Sequence, residues 1–371
     1  MSLTNFGKLT DEELTIWQRD TWRKARNESF MGQFTGTDHN SMIQRITELK
    51  KSQKGARAVI TLVNDSEGDG VAGDRTLEGN EETLTSEDQV IRIDQLRHAH
   101  RHEGKMADQK SVVTFRKEAR DNLSYWLADR YDQQAFLALS GVDFSMHTNG
   151  VARVGSDFPN LEYAADLAVP SDRRYYRWDA TNGLISGAAG ASNADLTTAD
   201  TLTWEMLIDL RAEAEEDFLR PVRTVDGVNM YHVFVTPTAM KSLKKDQDFK
   251  ENLRNAGARS NKNPLFKGSE SYYVDGLAIH SYRHVYNTRK AATGSKWGGG
   301  AVDGCRLLFC GAQALGFADI GSPEWKEKGF DYDNQQGIAV GKIAGFLKPQ
   351  FKSKTYGTKQ DFGVITVDIA Q

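Results

Sequence analysis

The segment from about residue 85 to 141 constrains the fold more than any other, because a polar, strand-forming stretch runs directly into one unusually long amphipathic helix. In TLTSEDQVIRIDQLRHAHRHEG, Val90, Ile91, Ile93 and Leu96 sit among charged residues, so a core can cover only part of it. The stretch reads as an exposed arm. From about Asp108 to Ser140, Val112, Phe115, Ala119, Leu123, Trp126, Leu127, Tyr131, Gln134 and Leu137 recur at steps of three and four. At roughly 1.5 Å per residue this predicts a helix of about 50 Å, far beyond the usual length of about 11 to 12 residues. A strut that long, fed by an arm, suits a subunit that touches many neighbours.

The chain has 371 residues, 39% hydrophobic and 26% charged, enough for one or two packed cores. No apolar run approaches the roughly 18 residues of a membrane span, and no basic-then-apolar leader opens the chain. A cytosolic protein is expected and, with Met1 in place, no removed leader. Cys305 and Cys310, in CRLLFC, fall on opposite faces of a strand and read as core thiols. The formal net charge is -4 with no basic block, so tight electrostatic capture of nucleic acid is not expected.

Thr10-Asp11-Glu12-Glu13 has the form of a capping box ahead of Leu14, Trp17 and Trp22, so residues 1–50 read as an N-terminal arm. AVITLVND at 58–65 and the strand near residue 90 enclose a Gly-rich acidic tip, which predicts a long hairpin within 51–106. Residues 142–200 read as ordered loops with brief strands. From Thr201 the pattern sharpens into helix, strand and helix, with Thr236 as an N-cap and Pro237 as the first helical residue. Strands follow in GLAIHSYRHVYN, CRLLFCGAQALGFA and the closing DFGVITVDIA. The fold class is α+β: a spine helix in 107–200, a domain of mixed sheet and helices in 201–345, and closing strands in 346–371 that return to the spine-helix part.

Three local signals bear on chemistry. Asp65-Ser66-Glu67-Gly68-Asp69-Gly70 begins like a calcium loop, but Thr76 stands where the bidentate Glu is needed, so a flexible acidic tip is the better reading. His98, His100 and His102 would share one face of a strand; without an orienting carboxylate, and with Arg97 and Arg101 between them, they read as a polar interface strip rather than a metal site. Arg173, Arg174, Tyr175, Tyr176, Arg177 and Trp178 are residue types enriched at interface hot spots. The expected contact surface therefore comprises Glu67, Asp69, Asp74 and Glu78 on the tip, Arg92, Arg97 and Arg101 (with Lys105) facing a neighbour's tip, and Arg173, Arg174, Tyr176 and Trp178. No GxSxG, Walker loop, HExxH or dinucleotide fingerprint is present, so neither an enzyme nor a cofactor or metal site is expected.

The order of arm, hairpin, spine helix and alternating domain resembles the Hong Kong 97-type fold of tailed-phage major capsid proteins. The block from LVNDSEGDGVAGDR through the helix to LALSG, with VFVTPTAMKSLKKD, LFCGAQALGFA, GKIAGFLKPQF and DFGVITVDIA, is similar to capsid proteins of the N4-like phage family. The resemblance covers the chain from about residue 55 onward. It implies a virion protein, made in a bacterial cytoplasm, that forms hexamers and pentamers of an icosahedral shell around double-stranded DNA without sequence-specific binding. It also implies a portal, and scaffold or decoration proteins as further partners, a peripheral domain around the spine helix and an axial domain from about residue 201. An encapsulin-like nanocompartment shell, which shares the fold, is the alternative.

Overall fold

The computed structural model describes residues 29–47, 57–63, 70–79, 81, 86–106, 115–224, 227–255, 271–353 and 356–371. The capping box at Thr10, the calcium-like ligands Asp65, Glu67 and Asp69, and the helical start from Asp108 to Thr114 lie outside them.

Two sheets organise the chain. The larger has eight strands, in the order β10 (Ser271–Val274), β11 (Leu277–Ser281), β9 (Asn229–Val235), β12 (Gly304–Cys310), β18 (Val364–Ala370), β6 (Tyr175–Asp179) and β7 (Gly183–Ser186), with β8 (Val222–Arg223) beside β9. Every residue of β12 and of β18 is buried. Side chains alternate across a strand, so both faces of the sheet's centre are covered. Cys305 and Cys310 are accordingly free, buried thiols, as expected. Arg306 and Asp368 stand directly opposite in the β12–β18 register and pair through two bonds of 2.7 and 2.8 Å. Tyr175 donates to the same carboxylate at 2.9 Å. Arg306 also donates to the Ser140 carbonyl at 2.9 Å, so no lone charge is left inside.

The smaller sheet has six strands: β1 (Thr35–Gly36), β2 (Ile43–Ile46), β13 (Leu315–Asp319), β15 (Gln335–Leu347) and β14 (Glu324–Phe330), with β5 (Asp94–Arg101) also paired to β15. On its inner side Lys342 and Asp319, both fully buried, pair at 2.8 Å, and Arg45 reaches the other carboxylate oxygen at 2.6 Å.

Helix α1 (Phe115–Ser140) connects the sheets. Its first half packs Ala119 and Leu123 on Trp325, Ile338 and Val340 of the smaller sheet. Its last ten residues, Tyr131 to Ser140, are buried on every side, and Phe136 meets Phe234 of β9 edge-on at 5.7 Å. The helix stops at Gly141, whose φ of +62° suits glycine, while Val142 donates back to the Leu137 carbonyl. α2 (Trp204–Glu216), α3 (Pro237–Lys245) and α4 (Gln247–Asn255) follow. Thr236 caps α3 through the Ala239 amide, with Pro237 at its start, as the sequence predicts.

The linear division at residues 201 and 346 is crossed by the sheets. β6, β7 and the closing strand β18 share the larger sheet with β9, β11 and β12, whereas β13 to β15 join β5 in the smaller one. The long hairpin is the antiparallel pair β3 (Arg57–Val63) and β4 (Ser86–Arg92), in register from Arg57 opposite Arg92 to Leu62 opposite Glu87. The short pair β16 (Gln350–Lys352) and β17 (Lys359–Asp361) completes the described strands.

Candidate intersubunit surface

Ala58, Ile60 and Ile91 of the hairpin pack inward with Ile46 and Ala318. The approach is close: a Cβ on Gly345 of β15 would lie 2.1 Å from the Arg92 carbonyl oxygen. Gln89 and Gln350 exchange bonds, Gln89 Nε2 to the Gln350 carbonyl and the Gln350 amide to Gln89 Oε1, while the Lys352 amide donates to Glu87 at 3.2 Å. The hairpin base is thus fixed to its own protomer.

Its outer face has no such cover. There Arg57 opposes Arg92, Val59 opposes Val90 and Thr61 opposes Asp88. Val59 and Val90 are 43% and 42% exposed, a cross-strand apolar pair left in water. Like charges directly opposite on a sheet repel. Arg92 is balanced by Asp166 at 3.5 Å, whereas Arg57 has no ion pair among the described residues. Of the expected tip residues, Asp74 and Glu78 are exposed, while Glu67 and Asp69 are not among the described residues.

β5 alternates half-buried and exposed residues along its whole length. The histidines face inward: His98 stacks on Trp126 at 4.6 Å and His102 meets Phe115 at 4.9 Å. They pack β5 against α1 rather than forming an outward strip. Burial, then the charges of His100 and Arg130, pull the His98 pKa below its usual value. Arg97 and Arg101 take the opposite face. Arg97 lies over Gly341, and Arg101 stacks on Phe330 at 4.2 Å and donates to Gln335. Part of the positive face expected for a neighbour is therefore engaged within the protomer.

The run at 173–178 needs a similar correction. Arg174, Tyr176 and Trp178 are buried, Arg174 donating to the Asp217 carbonyl at 2.7 Å and Tyr176 to Glu213 at 3.3 Å. Tyr176 and Trp178 in β6, inside the larger sheet, and Arg174 just before it serve the protomer's own core. Arg173 points elsewhere, its guanidinium 3.5 Å from the centre of the half-exposed Tyr356 ring.

Two features escaped the sequence reading. Buried Asp132, on α1, accepts from Ser29 Oγ at 2.7 Å, the Phe30 and Met31 amides at 2.9 and 3.2 Å, and the Tyr282 hydroxyl at 2.7 Å, tying the N-terminal segment to the helix. A carboxylate within a helical pattern gives no sign of such burial. The other is the β14–β15 hairpin, whose turn Asp331–Asn334 projects from the smaller sheet.

Thr148, His284 and Asp129 line up as hydroxyl, imidazole and carboxylate, at 3.2 and 2.7 Å. Thr148 is buried and Arg283 shares the carboxylate, so the chain of bonds fastens a loop to α1 rather than presenting a nucleophile. A cavity of about 60 Å³ lies between the Asp132 and Asp319 clusters, whose carboxylates face Ser29 and Tyr282 in the first and Lys342 and Arg45 in the second. Among the described residues no three His, Cys, Asp or Glu side chains converge as metal ligands, and no helix is long and apolar enough to cross a membrane.

Comparison with known proteins agrees with this architecture. The sequence model of a family described as phage capsid protein matches residues 5–371. The major capsid protein of Pseudomonas phage KPP25 is 57% identical over 369 residues, covering 99% of this chain and 97% of that protein. Among solved structures, the capsid of Ralstonia phage GP4 superposes with a TM-score of 0.75 at 25% identity, over 100% of this chain and 98% of the other. The capsid asymmetric unit of cyanophage Pam1 gives 0.68 at 16% identity, covering 100% and 96%. The acidic stable capsid structure of Helicobacter pylori bacteriophage KHP30 gives 0.65 at 15%, covering 100% and 94%.

Proposed function

This chain belongs to the phage capsid protein family as a major capsid protein, and we propose that its copies close, as hexamers and pentamers, an icosahedral shell around the double-stranded DNA of a tailed phage. The observation that carries this reading is the identity of 57% along nearly the whole of two chains of the same length class. In the proposed Hong Kong 97-type arrangement, the β3–β4 hairpin is the extended loop that overlaps an adjacent subunit. The smaller sheet with α1 is the peripheral domain, and the larger sheet with α2 to α4 is the axial domain. The kinship with N4-like phages, a portal, and scaffold or decoration proteins as partners, and assembly in the bacterial cytoplasm belong to the same proposal.

The outer hairpin face, Arg57, Val59, Val90 and Arg92, is the surface we assign to subunit contact, with Asp74, Glu78, Arg97 and Arg173 as further contact residues elsewhere on the protomer. Its physics suits a shell. Exposed ion pairs contribute only about 0 to 1 kcal/mol each, so single contacts stay reversible while many copies add up. The formal charge of -4 gives the chain no net positive excess with which to grip a densely packed genome. The test is electron microscopy of the chain expressed alone and with a portal and scaffold from a related phage. Closed particles of regular diameter are expected, and a protein that stays monomeric under both conditions would refute the reading.

A further inference from the structure

The β14–β15 turn breaks two local rules at once. Asp331, Tyr332 and Asp333 have φ of 51°, 50° and 63°, three successive non-glycine residues in the left-handed region. Asp tolerates that region, but a bulky Tyr is strained there, and glycine would be the unstrained choice. Tyr332 is also fully exposed, so within the protomer its ring gains nothing in return. Backbone strain that persists must be held by its surroundings.

The surroundings here are extensive. The Asn334 amide donates to the Asp331 carbonyl at 2.9 Å, and its Oδ1 accepts from the Lys105 amide at 3.4 Å. Gln335 donates to the Glu103 carbonyl at 2.8 Å. Gly329 leaves room for the Asp333 carboxylate, where a Cβ would be only 1.7 Å from Oδ1. The turn is therefore rigid before anything binds it, which lowers the ordering penalty of using it as a contact. An exposed aromatic on a preformed support is the usual form of an interface anchor.

Its chemistry identifies the partner. Tyr332 is an apolar ring between two carboxylates; the outer hairpin face is an apolar valine pair bordered at one end by two guanidiniums, one of them without an ion pair among the described residues, and at the other by Thr61 and Asp88, whose carboxylate accepts from the Thr61 hydroxyl at 2.7 Å. Nucleic acid is disfavoured by the two carboxylates. We propose that the Tyr332 turn of one copy seats on the outer β3–β4 face of a second copy, the ring against Val59 and Val90 and the carboxylates of Asp331 and Asp333 toward Arg57 and Arg92. This rests on the shell reading and names the counterpart of its contact surface. The contact is heterologous, one patch meeting a different patch, so it can repeat around a ring.

Two measurements test it. First, Tyr332→benzoylphenylalanine is irradiated in particles assembled from mixed isotopically light and heavy subunits, and crosslinks are mapped by mass spectrometry. Light-to-heavy crosslinks to residues 57–62 or 87–92 are expected. Crosslinks confined to other regions, to a different phage protein, or absent altogether would overturn the proposal while leaving the shell intact as a reading. Second, Tyr332→Gly removes the ring and relaxes the backbone, so the protomer should melt with the parent chain while the concentration needed for assembly rises about ten-fold or more. Unchanged assembly of a folded Y332G protein would refute the anchor. If the parent chain forms no particles under any condition, the shell reading fails first and this contact with it.

Discussion

In the larger sheet every residue of β12 and β18 is buried and the one charged pair between them is doubly bonded, whereas in the smaller sheet β5 alternates half-buried and exposed residues and the hairpin beside it leaves two valines in water. The same chain thus contains one sheet finished within the protomer and one finished on a single side only. The difference separates folding from assembly. Contacts that make the protomer are concentrated around β9, β12 and β18, and the surfaces we assign to contact between copies gather around β3, β4, β5 and β14. A subunit that must be soluble before it joins a shell needs that separation, because an unfinished core would aggregate before it assembled.

The contrast can be broken by substitution, and the largest effect belongs to the larger sheet. Arg306→Met would leave Asp368 charged and unpaired inside, and the unfolding free energy of the unassembled protomer should fall by about 3 to 5 kcal/mol in denaturant titrations. A loss under about 1 kcal/mol would mean that water reaches this sheet and that its closure is overstated.

Acid sharpens the comparison next. His232 of β9 and His280 of β11 lie 3.2 Å apart. Burial brings both pKa values down to about 4, with the His232 charge adding to the shift of His280. An unfolded histidine titrates near 6.5, so between pH 6.5 and 4 the unfolded chain takes up protons that the native chain refuses. The contribution of this pair is therefore complete above pH 6.5 and declines as pH falls toward 4, by something of the order of 3 kcal/mol for each histidine. Chemical denaturation across that range should show the slope, and the double variant His232→Gln, His280→Gln should flatten it. An acid slope that survives the double variant would place its origin outside the larger sheet.

The smallest effect on folding falls on the hairpin. Val90→Asp changes an exposed side chain, so the protomer should keep its stability within about 0.5 kcal/mol. The contact it weakens should lose about 2 kcal/mol of apolar burial per copy, read as a higher assembly concentration by light scattering. A V90D protein that misfolds would show that the outer face belongs to the protomer, and one that assembles normally would show that it faces nothing.

The sequence made the local elements legible where a rule has only one reading. The hairpin strands, the stop of the long helix at Ser140, the cap at Thr236 with Pro237, and the closing strand all stand as the residues indicate. It was silent where the answer depends on distant partners. Tyr176 and Trp178 are hot-spot residue types, but the parallel pairing of β6 with β18 puts them inside. Asp132 and Gln133 look like the wet side of a helix, yet that part of α1 has no wet side. QQGIAVGKIAGFL, with its glycines, lacks the profile of a long strand; those glycines are where the Phe330 ring, the Arg97 stem and the Arg92 backbone press close. Of the expected contact residues, Asp74 and Glu78 on the tip are exposed, whereas Arg174, Tyr176 and Trp178 went into the core.

Helix α1 has a mechanical consequence. Its 26 residues make a beam of about 39 Å, gripped at the Ser140 end by the larger core and leaning on the smaller sheet along its first half. Such a beam is a lever: turning it by about 10° at the gripped end would sweep the far end through about 7 Å. Repacking a few side chains around Phe136 could therefore tilt the hairpin and its neighbouring sheet by an amount visible at the scale of a whole particle. The bending of a closed surface, from flat facet to sharp vertex, would then be set by an angle inside each protomer, with the chemistry between protomers left unchanged.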